Sequence, residues 1–552
     1  MKPEIKIGLA QINPILGDLP GNAKKIINFI QDAEQQGVDL LIFPELAITG
    51  YSPQDLLLEQ SFVDCNLQWL NKITTACHSA MVVILGFVAR DNGKLYNAAA
   101  VIKSGQLVAT RSKTLLPNYD VFDECRYFTP ASENLPVTIA IGGHSVRLGV
   151  EICEDLWDSN SDIKVTDQLV AQGAELVINL SASPFEYDKR DRRRQLVLDK
   201  VIKLKRPFVL VNLVGGRDEL VFDGNSFALD ASGSTIGWGE EFKENLVVFE
   251  LDLVSGCGRG MPWPKIQREA SIYQALTLGV HDYFYKTGGR QAIIGLSGGI
   301  DSALVACIAV SALGAENVLG VFLPSQYTSA TSREDAFILA KNTNIKLIEI
   351  PIEKIFQSYL QELKPVFGET SPDVTEENIQ SRIRGNLLMA LANKYHAYVL
   401  TTGNKTELAL GYCTMYGDMC GALAVISDLS KLDVYKVASY FNETAGRLII
   451  PERVFSKIPT AELAPGQVDP FDYAIVSPLV DDIIIEQKTP AELVQMGYPR
   501  NLVNDIFRRI KSAEFKRRQA APGLKISGKA FGLGRRYPII NHFEEKGEEQ
   551  CE

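Results

Sequence analysis

Long apolar runs, a secretion signal and a surplus of basic residues are all missing from this sequence. No stretch of about 18 consecutive apolar residues, the length that spans a bilayer as a helix, occurs in it. The start, MKPEIKIGLAQINPILGD, lacks a basic region followed by an apolar stretch. The formal net charge of −11 argues against sequence-independent nucleic-acid binding, which needs clustered Lys and Arg. We therefore expect a cytoplasmic protein with no membrane span and no nucleic-acid partner.

Paired cysteines are also missing, and histidine is scarce. The nine cysteines contain no CxxC pair and are odd in number, which favours reduced thiols over a disulfide framework. None of the five histidines lies in a motif comparable to those described below. A Cys–His pair is therefore the weaker proposal for thiol chemistry.

The length predicts two domains, because 552 residues exceed the roughly 250–300 at which a single core stops growing. Residues 1–255 alternate short apolar runs with amphipathic stretches, which is typical of a layered α/β domain. Residues 256–268, within and after the Gly- and Pro-rich SGCGRGMPWP, predict a linker. Strand and helix patterns alternate through residues 269–540, so a doubly wound parallel sheet is expected there. Residues 541–552 predict a charged tail.

Hydrophobic periodicity gives the individual elements. Strands are predicted at Ile5–Gln11, Leu40–Phe43, Val82–Val88, Val146–Ile152, Leu176–Asn179, Phe208–Asn212, Ala292–Leu296, Val318–Phe322 and Lys346–Ile350. Helices are predicted at Asn22–Gln36, Arg190–Lys203, Glu269–Tyr285, Ser302–Leu313 and Arg333–Lys341. The polar stretch Phe367–Glu377 predicts a surface loop, and the basic run Lys189–Arg194 predicts a solvated helix face.

Three segments of the first half each place a reactive side chain after a strand-like run. They are LLIFPELAITGY with Glu45, SKTLLPNYDVFDE with Lys113 and LGVEICEDLW with Cys153. A thiolate is a nucleophile, a carboxylate can take the thiol proton, and an ammonium can stabilise both the thiolate and an oxyanion. Each residue alone fits an ordinary structural role, but together they predict covalent amide hydrolysis.

Together these segments resemble the nitrilase superfamily of carbon–nitrogen hydrolases, whose Glu-Lys-Cys triad occurs in this chain order. The resemblance implies an αββα sandwich with Glu45, Lys113 and Cys153 as catalytic residues. The segment LLPNYDVFDECRYF looks like the substrate loop of the glutaminase domains attached to NAD synthetases. That likeness implies that Tyr119, together with Ser183 and Lys189 of SASPFEYDKR, contacts glutamine.

The string IIGLSGGIDSALVA, from Ile293 to Ala306, predicts a strand, a tight turn and the start of a helix. Glycines let the backbone approach a ligand, and successive N–H groups at a helix start favour an anion. Because Asp301 would repel a phosphate, a Mg²⁺ ion between them is implied. The Lys-Ser/Thr ending of a Walker loop is absent. A glycine-rich turn without a ligand is the alternative.

This string resembles the pyrophosphate-binding loop of ATP pyrophosphatases, which adenylate an acyl oxygen. The resemblance implies a set of ATP contacts: Gly295, Leu296, Ser297, Gly298, Gly299, Ile300, Asp301 and Ser302. The likeness of YVLTTGNKTELALGY to NAD synthetases implies a further ATP contact at Thr402. Adenylation suits amide synthesis, because it turns a carboxylate into an acyl donor that ammonia can attack.

Residues Ile266–Ile540 resemble NAD synthetases through four ordered motifs: TEENIQSRIRGN, YVLTTGNKTELALGY, YGDMCGALAVISDLSKLDVY and FGLGRRYPI. The resemblance implies that deamido-NAD is held by Asn378, Arg382, Glu407, Asp418, Lys431 and Lys516, and that Asp301 and Glu407 bind the metal. Ordinary surface positions are expected for Arg384, Arg517 and Arg518. Ser430 and Val425 depart from the commoner residues of the family.

The implied activity is that of an ATP-dependent carbon–nitrogen ligase. Glutamine would supply ammonia, which passes internally and amidates deamido-NAD with release of AMP and pyrophosphate. Relatives of this type also imply a homo-oligomer. Other hypotheses are an amidotransferase acting on a different carboxylate, a tRNA-modifying pyrophosphatase, which the negative charge disfavours, and a nucleotide-sensing protein with a decayed amidase.

Overall fold

The computed structural model describes residues 4–541 and 543, which divide into two compact units. The first comprises the described residues up to Arg217 together with Val221–Ile266, and the second comprises Asp218–Leu220 and the described residues from Gln267 onward. The predicted tail lies outside the described residues from position 544 on. Within the described part of the chain, no helix is long and apolar enough to cross a membrane.

The described strands of the first unit form two six-stranded sheets and a two-stranded pair. These strands are β1 (Glu4–Gln11), β2 (Leu40–Ile42), β3 (Val82–Asp91), β4 (Lys94–Lys103), β5 (Gln106–Ser112), β6 (Val137–Ile141), β7 (His144–Ile152), β8 (Leu176–Ser181), β9 (Phe208–Asn212), β10 (Val214–Arg217), β11 (Leu220–Asp223), β12 (Phe227–Leu229), β13 (Thr235–Trp238) and β14 (Asn245–Asp252). One sheet has the order β14-β1-β2-β3-β4-β5, and the other has the order β13-β12-β9-β8-β7-β6. In each sheet three central strands are parallel and the flanking strands are antiparallel.

The two sheets pack face to face with helices outside them. Ile7 and Ile84 of one sheet share a buried cluster with Leu148 and Ile178 of the other. The helices are α1 (Leu19–Gln35), α2 (Gln60–Ala76), α3 (Val165–Ala171) and α4 (Lys189–Leu204), with 3₁₀ turns at Gln54–Leu58, Glu124–Arg126, Cys153–Leu156 and Asp158–Asn160. Helix α2 packs on β3, whereas α3 packs on β7 and α4 on β12. The predicted αββα sandwich is confirmed.

Helix α4 corrects the prediction of a wholly solvated basic face. Arg193 is buried and pairs with Asp223 at 3.2 Å, while its neighbour Arg192 stays exposed. Arg190 and Val197 are also buried, at helical spacing from Arg193. The charge pattern alone therefore gave a wrong prediction for this helix face, because a long arginine side chain can be buried when it pairs with a carboxylate.

The predicted linker lies against the first unit. The N–H of Met261 donates to the Thr235 carbonyl at 2.7 Å, and the ring of Trp263 meets Phe227 edge to face. The guanidinium of Arg190 lies 4.3 Å from the Trp263 ring centre. These contacts attach the chain up to Ile266 to the first unit.

The second unit contains a five-stranded sheet among its described residues. Its strands are β15 (Ala292–Gly295), β16 (Val318–Phe322), β17 (Lys346–Glu349), β18 (Tyr398–Thr401) and β19 (Leu423–Ala424). All pairings are parallel, in the order β17-β16-β15-β18-β19, which confirms the doubly wound sheet. The chain adds β16 and β17 on one side of β15 and then β18 and β19 on its other side, so the strand order reverses between β15 and β18. Ligands of such sheets bind at this point, beyond the carboxyl ends of the strands.

Helices surround this sheet. They are α5 (Arg268–Thr287), α6 (Ile300–Leu313), α7 (Ala330–Thr343), α8 (Glu353–Phe367), α9 (Val374–Tyr395), α10 (Lys405–Leu410), α11 (Lys431–Ala445), α12 (Glu452–Ser456), α13 (Tyr473–Ile484), α14 (Pro490–Gln495), α15 (Arg500–Ser512) and α16 (Glu514–Arg517), with a 3₁₀ turn at Ala315–Asn317. The predicted loop at Phe367–Glu377 is wrong at its end, because α9 begins at Val374. Asp373 and Glu376 form a capping box, so these polar residues start a helix.

Candidate active sites

Strand ends of the first unit bring Glu45, Lys113 and Cys153 together. Lys113 directly follows β5 and Cys153 directly follows β7, while Glu45 lies three residues beyond β2. The Lys113 ammonium donates to Glu45 Oε1 at 2.7 Å, and both side chains are fully buried. Burial and then Glu45 raise the pKa of the Cys153 thiol, whereas Lys113 lowers it, so the thiol lies within the field of both charges.

A second carboxylate, Glu124, completes this cluster. It accepts from the Lys113 ammonium and from the Tyr51 hydroxyl, each at 2.8 Å. The Asn97 amide donates to Glu45 at 2.6 Å and to Glu124 at 3.3 Å. Although burial opposes its charge, these two glutamates raise the pKa of Lys113, which therefore stays protonated. The sequence analysis did not identify Glu124. The indication available was that Glu124 lies in DVFDECRYF, within the predicted substrate loop.

The Cys153 turn presents a neutral thiol to this charged cluster. Cys153 has φ 44°, a left-handed conformation that is costly for a residue with a side chain. The N–H of Ala182 donates to Glu45 Oε2 at 2.8 Å and also lowers the pKa of the thiol. Because the net pKa is raised by burial, nucleophilic attack needs a base that takes the proton as the bond forms. Glu45, whose charge acts on the thiol, is the candidate for that task.

The predicted glutamine contacts lie in different settings. Tyr119 lines a cleft that also includes Glu154 and Trp157, and its hydroxyl donates to the Glu154 carboxylate at 3.0 Å. Lys189 pairs with Glu186 at 3.3 Å, and its ammonium lies 5.8 Å from the Trp157 ring centre.

Ser183 is buried, and its backbone is held by Asn212 at 2.8 and 3.2 Å. Neither Ser183 nor Lys189 belongs to the wall of the Tyr119 cleft. Sequence reasoning missed Glu154, whose pKa burial raises to about 7.

In the second unit, hydrogen bonds of two serines stabilise the turn after β15. Ser297 and Ser302 are 3.2 Å apart through their hydroxyls, and the N–H of Gly299 donates to the Ser297 hydroxyl at 3.2 Å. Gly298 has φ +78°, and a Cβ there would stand 2.2 Å from the carbonyl oxygen of Ser332. Helix α6 then begins at Ile300. A tight turn whose N–H groups precede a helix suits an anion such as a phosphate.

A cavity of about 330 Å³ adjoins this turn at the carboxyl ends of β15, β16 and β18. Its wall includes seven of the predicted ligand-binding residues: Gly295, Leu296, Ser297, Asn378, Thr402, Asp418 and Lys516. The other predicted residues lie outside the wall: Gly298, Gly299, Ile300, Asp301, Ser302, Arg382, Glu407 and Lys431. Arg382 is exposed and donates to the Met415 carbonyl at 3.3 Å.

Arg384 lines the cavity, so the expected surface position was wrong. Its guanidinium donates to the Leu323 carbonyl at 2.9 Å, and burial lowers its pKa to about 10. Arg517 is also buried and donates to the carbonyls of Leu408 and Ala409 at 3.0 Å. Arg517 is flanked by Lys516 and Arg518, so composition gave no signal of its burial. Arg518 is half exposed, as expected.

Beside the cavity, Lys431 lies between two carboxylates. Its ammonium donates to Asp301 and, at 3.3 Å, to Glu407. The Asn404 amide donates to Asp301 at 3.0 Å, a contact that sequence reasoning missed. Burial raises the pKa of Glu407 to about 7, although Lys431 opposes this shift. Asp301 and Glu407 thus share one cation.

Asn378, Asp418 and Lys516 are held by the polypeptide around the cavity. The Thr414 hydroxyl donates to Asn378 at 2.7 Å, and the Thr414 N–H donates to Asp418 at 2.6 Å. The Lys516 ammonium donates to the carbonyls of Gly411 and Cys413 at 2.8 Å. Hydrogen bonds within the protein therefore orient these polar groups.

Known families match both halves of the chain. The family model for carbon-nitrogen hydrolases matches residues 6–256, and that for NAD synthase matches residues 272–520. The glutamine-dependent NAD(+) synthetase of Thermotoga maritima is 44% identical over 579 residues, covering 98% of this chain and 99% of that protein. That of Synechocystis sp. is 43% identical over 566 residues, with 98% and 99% covered.

A solved structure agrees with these relatives. The glutamine-dependent NAD+ synthetase of Acinetobacter baumannii, in complex with ADP, has a TM-score of 0.78 at 38% identity and covers 98% of this chain and 99% of that chain. The similarity thus extends through both units. The chain belongs to the glutamine-dependent NAD(+) synthetases.

Proposed function

We propose that this chain converts deamido-NAD to NAD, with glutamine as nitrogen donor and ATP as activating substrate. The first unit releases ammonia from glutamine, and the second uses it to amidate a carboxylate. The observation that carries the proposal is the buried Glu45–Lys113 pair, joined at 2.7 Å beside Cys153. That cluster suits amide hydrolysis, and the chain that contains it belongs to a family of glutamine-dependent synthetases.

In the glutaminase reaction, Cys153 attacks the carboxamide carbon of glutamine while Glu45 accepts the thiol proton. Lys113 balances the developing oxyanion. The tetrahedral adduct collapses to a thioester, and the proton held by Glu45 leaves with ammonia. Water then hydrolyses the thioester to glutamate and frees the thiol. Tyr119, Ser183 and Lys189 hold the substrate.

In the synthetase reaction, a carboxylate oxygen of deamido-NAD attacks the α-phosphorus of ATP and pyrophosphate leaves. Ammonia then displaces AMP from the acyl-adenylate. The backbone of Gly295–Ser302, with Thr402, holds ATP. The deamido-NAD is held by Asn378, Arg382, Glu407, Asp418, Lys431 and Lys516. The turn after β15 supports this assignment, because α6 begins directly after it and the start of a helix suits phosphate.

The proposed reaction uses Mg²⁺ with ATP, and Asp301 and Glu407 would hold the ion. Both offer carboxylate oxygens, and the ion would have to take the place of the Lys431 ammonium that now contacts both of them. Residues 4–541 and 543 contain no cluster of three or more Cys, His, Asp or Glu side chains suited to a metal. Two carboxylates suffice where substrate phosphates supply further ligands. Bound there, the ion would neutralise phosphate charge.

Several finer points stay predictions from the sequence. These are a cytoplasmic location, a homo-oligomeric state, internal passage of ammonia and the domain limits 1–255 and 269–540. Small molecules are the expected partners: glutamine, ATP and deamido-NAD.

The proposal is tested by product analysis with the purified chain. Deamido-NAD, ATP, Mg²⁺ and glutamine should yield NAD, AMP, pyrophosphate and glutamate in equal amounts. Other carboxylates should give no pyrophosphate above background. Absence of NAD, combined with pyrophosphate release on another carboxylate, would instead establish an amidotransferase with a different acceptor.

A further inference from the structure

Asp155 is a buried carboxylate that lies two residues beyond the nucleophile and has no part in the reaction described above. It is 1% exposed. Its Oδ2 accepts the N–H of Ile152 at 3.0 Å, which fixes the turn that carries Cys153. Its Oδ1 accepts the N–H groups of Thr114 and Leu115 at 3.0 and 2.8 Å. One carboxylate thus receives three backbone donors.

These donors lie at or just beyond the ends of strands from two different sheets. Ile152 ends β7 of the second sheet, whereas Thr114 and Leu115 follow Lys113 at the end of β5 of the first sheet. The side chain therefore joins the segment that carries the nucleophile to the segment that carries the ammonium. Only an ionised carboxylate of this length offers both oxygens as acceptors without adding a donor.

We propose that Asp155 is a positioning residue that sets Lys113 relative to the Cys153 thiol. The inference rests on the proposed function, since it assumes that Cys153 and Lys113 act together on glutamine. It assigns Asp155 no contact with substrate. A misplacement of about 1 Å can reduce a rate about 10²-fold, so a shared anchor for both groups has a direct effect on the rate.

The test replaces Asp155 by Asn, which keeps the shape but turns one acceptor oxygen into a donor. Asp230→Asn is the matched control. Asp230 is also buried and accepts the N–H groups of Ser232 and Ser234 at 2.9 and 3.0 Å, in the turn between β12 and β13, and these contacts include none of the triad residues. For both variants, the measurements are glutamate release (kcat and KM), ammonium-driven NAD formation, thermal unfolding and the pH dependence of inactivation by iodoacetamide.

Asp155→Asn should lower the kcat for glutamate release about 10²-fold with little change in KM, and ammonium-driven synthesis should persist. The pH at which iodoacetamide inactivates half-maximally should rise, because the thiolate loses a well-placed Lys113. Asp230→Asn should stay close to wild type in all of these except unfolding temperature.

Three results would overturn the inference: equal losses in both variants, an unchanged inactivation profile, or loss of cooperative unfolding in Asp155→Asn alone. Cys153→Ala separates this from the larger proposal. If Cys153→Ala still released glutamate, the proposed glutaminase would itself be wrong.

Discussion

Each unit places a lysine between two carboxylates, but the two clusters are buried to different degrees. In the first unit, the side chains of Lys113, Glu45 and Glu124 are 1%, 0% and 1% exposed. In the second, those of Lys431, Asp301 and Glu407 are 5%, 17% and 19% exposed. The lysine and its two carboxylates are therefore enclosed by protein in the first unit, whereas the corresponding groups of the second unit keep some contact with solvent.

The difference follows from the neighbours of the carboxylates. Glu45 and Glu124 receive further donors from Asn97, Tyr51 and the Ala182 N–H, so their oxygens are fixed by the protein. A fixed charge stabilises a transition state without having to reorganise. Asp301 and Glu407 have fewer protein donors, and their carboxylates remain accessible to a cation. A closed cluster suits covalent catalysis, and an open one suits exchange of ligands.

The largest effect is expected from Lys113→Met. It leaves two buried glutamates without their shared cation, which costs about 3–5 kcal/mol of stability. Loss of the oxyanion partner should reduce glutamine-driven NAD formation about 10³-fold. Steady-state rates with glutamine and with ammonium check this, and the ammonium rate serves as the control. Retention of the glutamine rate would show that Lys113 has only a structural role.

Gly298→Ala should act on the other site. The added Cβ would meet the Ser332 carbonyl at 2.2 Å, and the φ of +78° is strained for alanine. The turn must shift by about 1 Å, so NAD formation from both nitrogen sources should fall about 10²-fold, while glutamate release continues. Gly288→Ala is a suitable control, because its φ is +79° but no atom lies within 4 Å of its Cβ. Equal behaviour of the two variants would contradict the proposed phosphate turn.

Lys431→Met tests the comparison most closely, because it repeats the Lys113 substitution in the open cluster. Solvent reaches Asp301 and Glu407, so the expected stability loss is smaller, about 1.5–3 kcal/mol. Denaturant unfolding of the two variants side by side measures this. If Lys431→Met destabilised the chain as much as Lys113→Met, exposure would not be what separates the two clusters.

The smallest effect concerns Glu151, a buried carboxylate whose hydrogen bonds among the described residues come from Thr166 and Asn179. Burial raises its pKa from 4.5 to about 7, so between these values the folded state binds more protons than the unfolded state. Its contribution to stability is therefore present below pH 4.5 and declines as the pH rises towards 7. Glu151→Gln should flatten this decline, by on the order of 1 kcal/mol. Thermal unfolding at pH 5 and pH 8 checks it.

Much of both sites was predictable because local sequence determines where strands end. Strands β9 and β16 have the predicted bounds, and the predicted strands before Cys153 and the SGGIDS string place reactive groups at sheet edges. Glu124, Asp155 and Arg384 were not predictable in the same way. Their positions depend on loops that fold back and on partners far away in sequence, such as Asn97 for Glu124 and Leu323 for Arg384.

The most direct test of the two-site account compares Cys153→Ala with the wild type, using deamido-NAD, ATP and Mg²⁺ with either glutamine or ammonium. The account predicts that the variant forms no NAD from glutamine but keeps the wild-type rate with ammonium, since its second unit is unchanged. NAD formation from glutamine by Cys153→Ala would contradict the account, because the nitrogen would then reach the product without the proposed nucleophile.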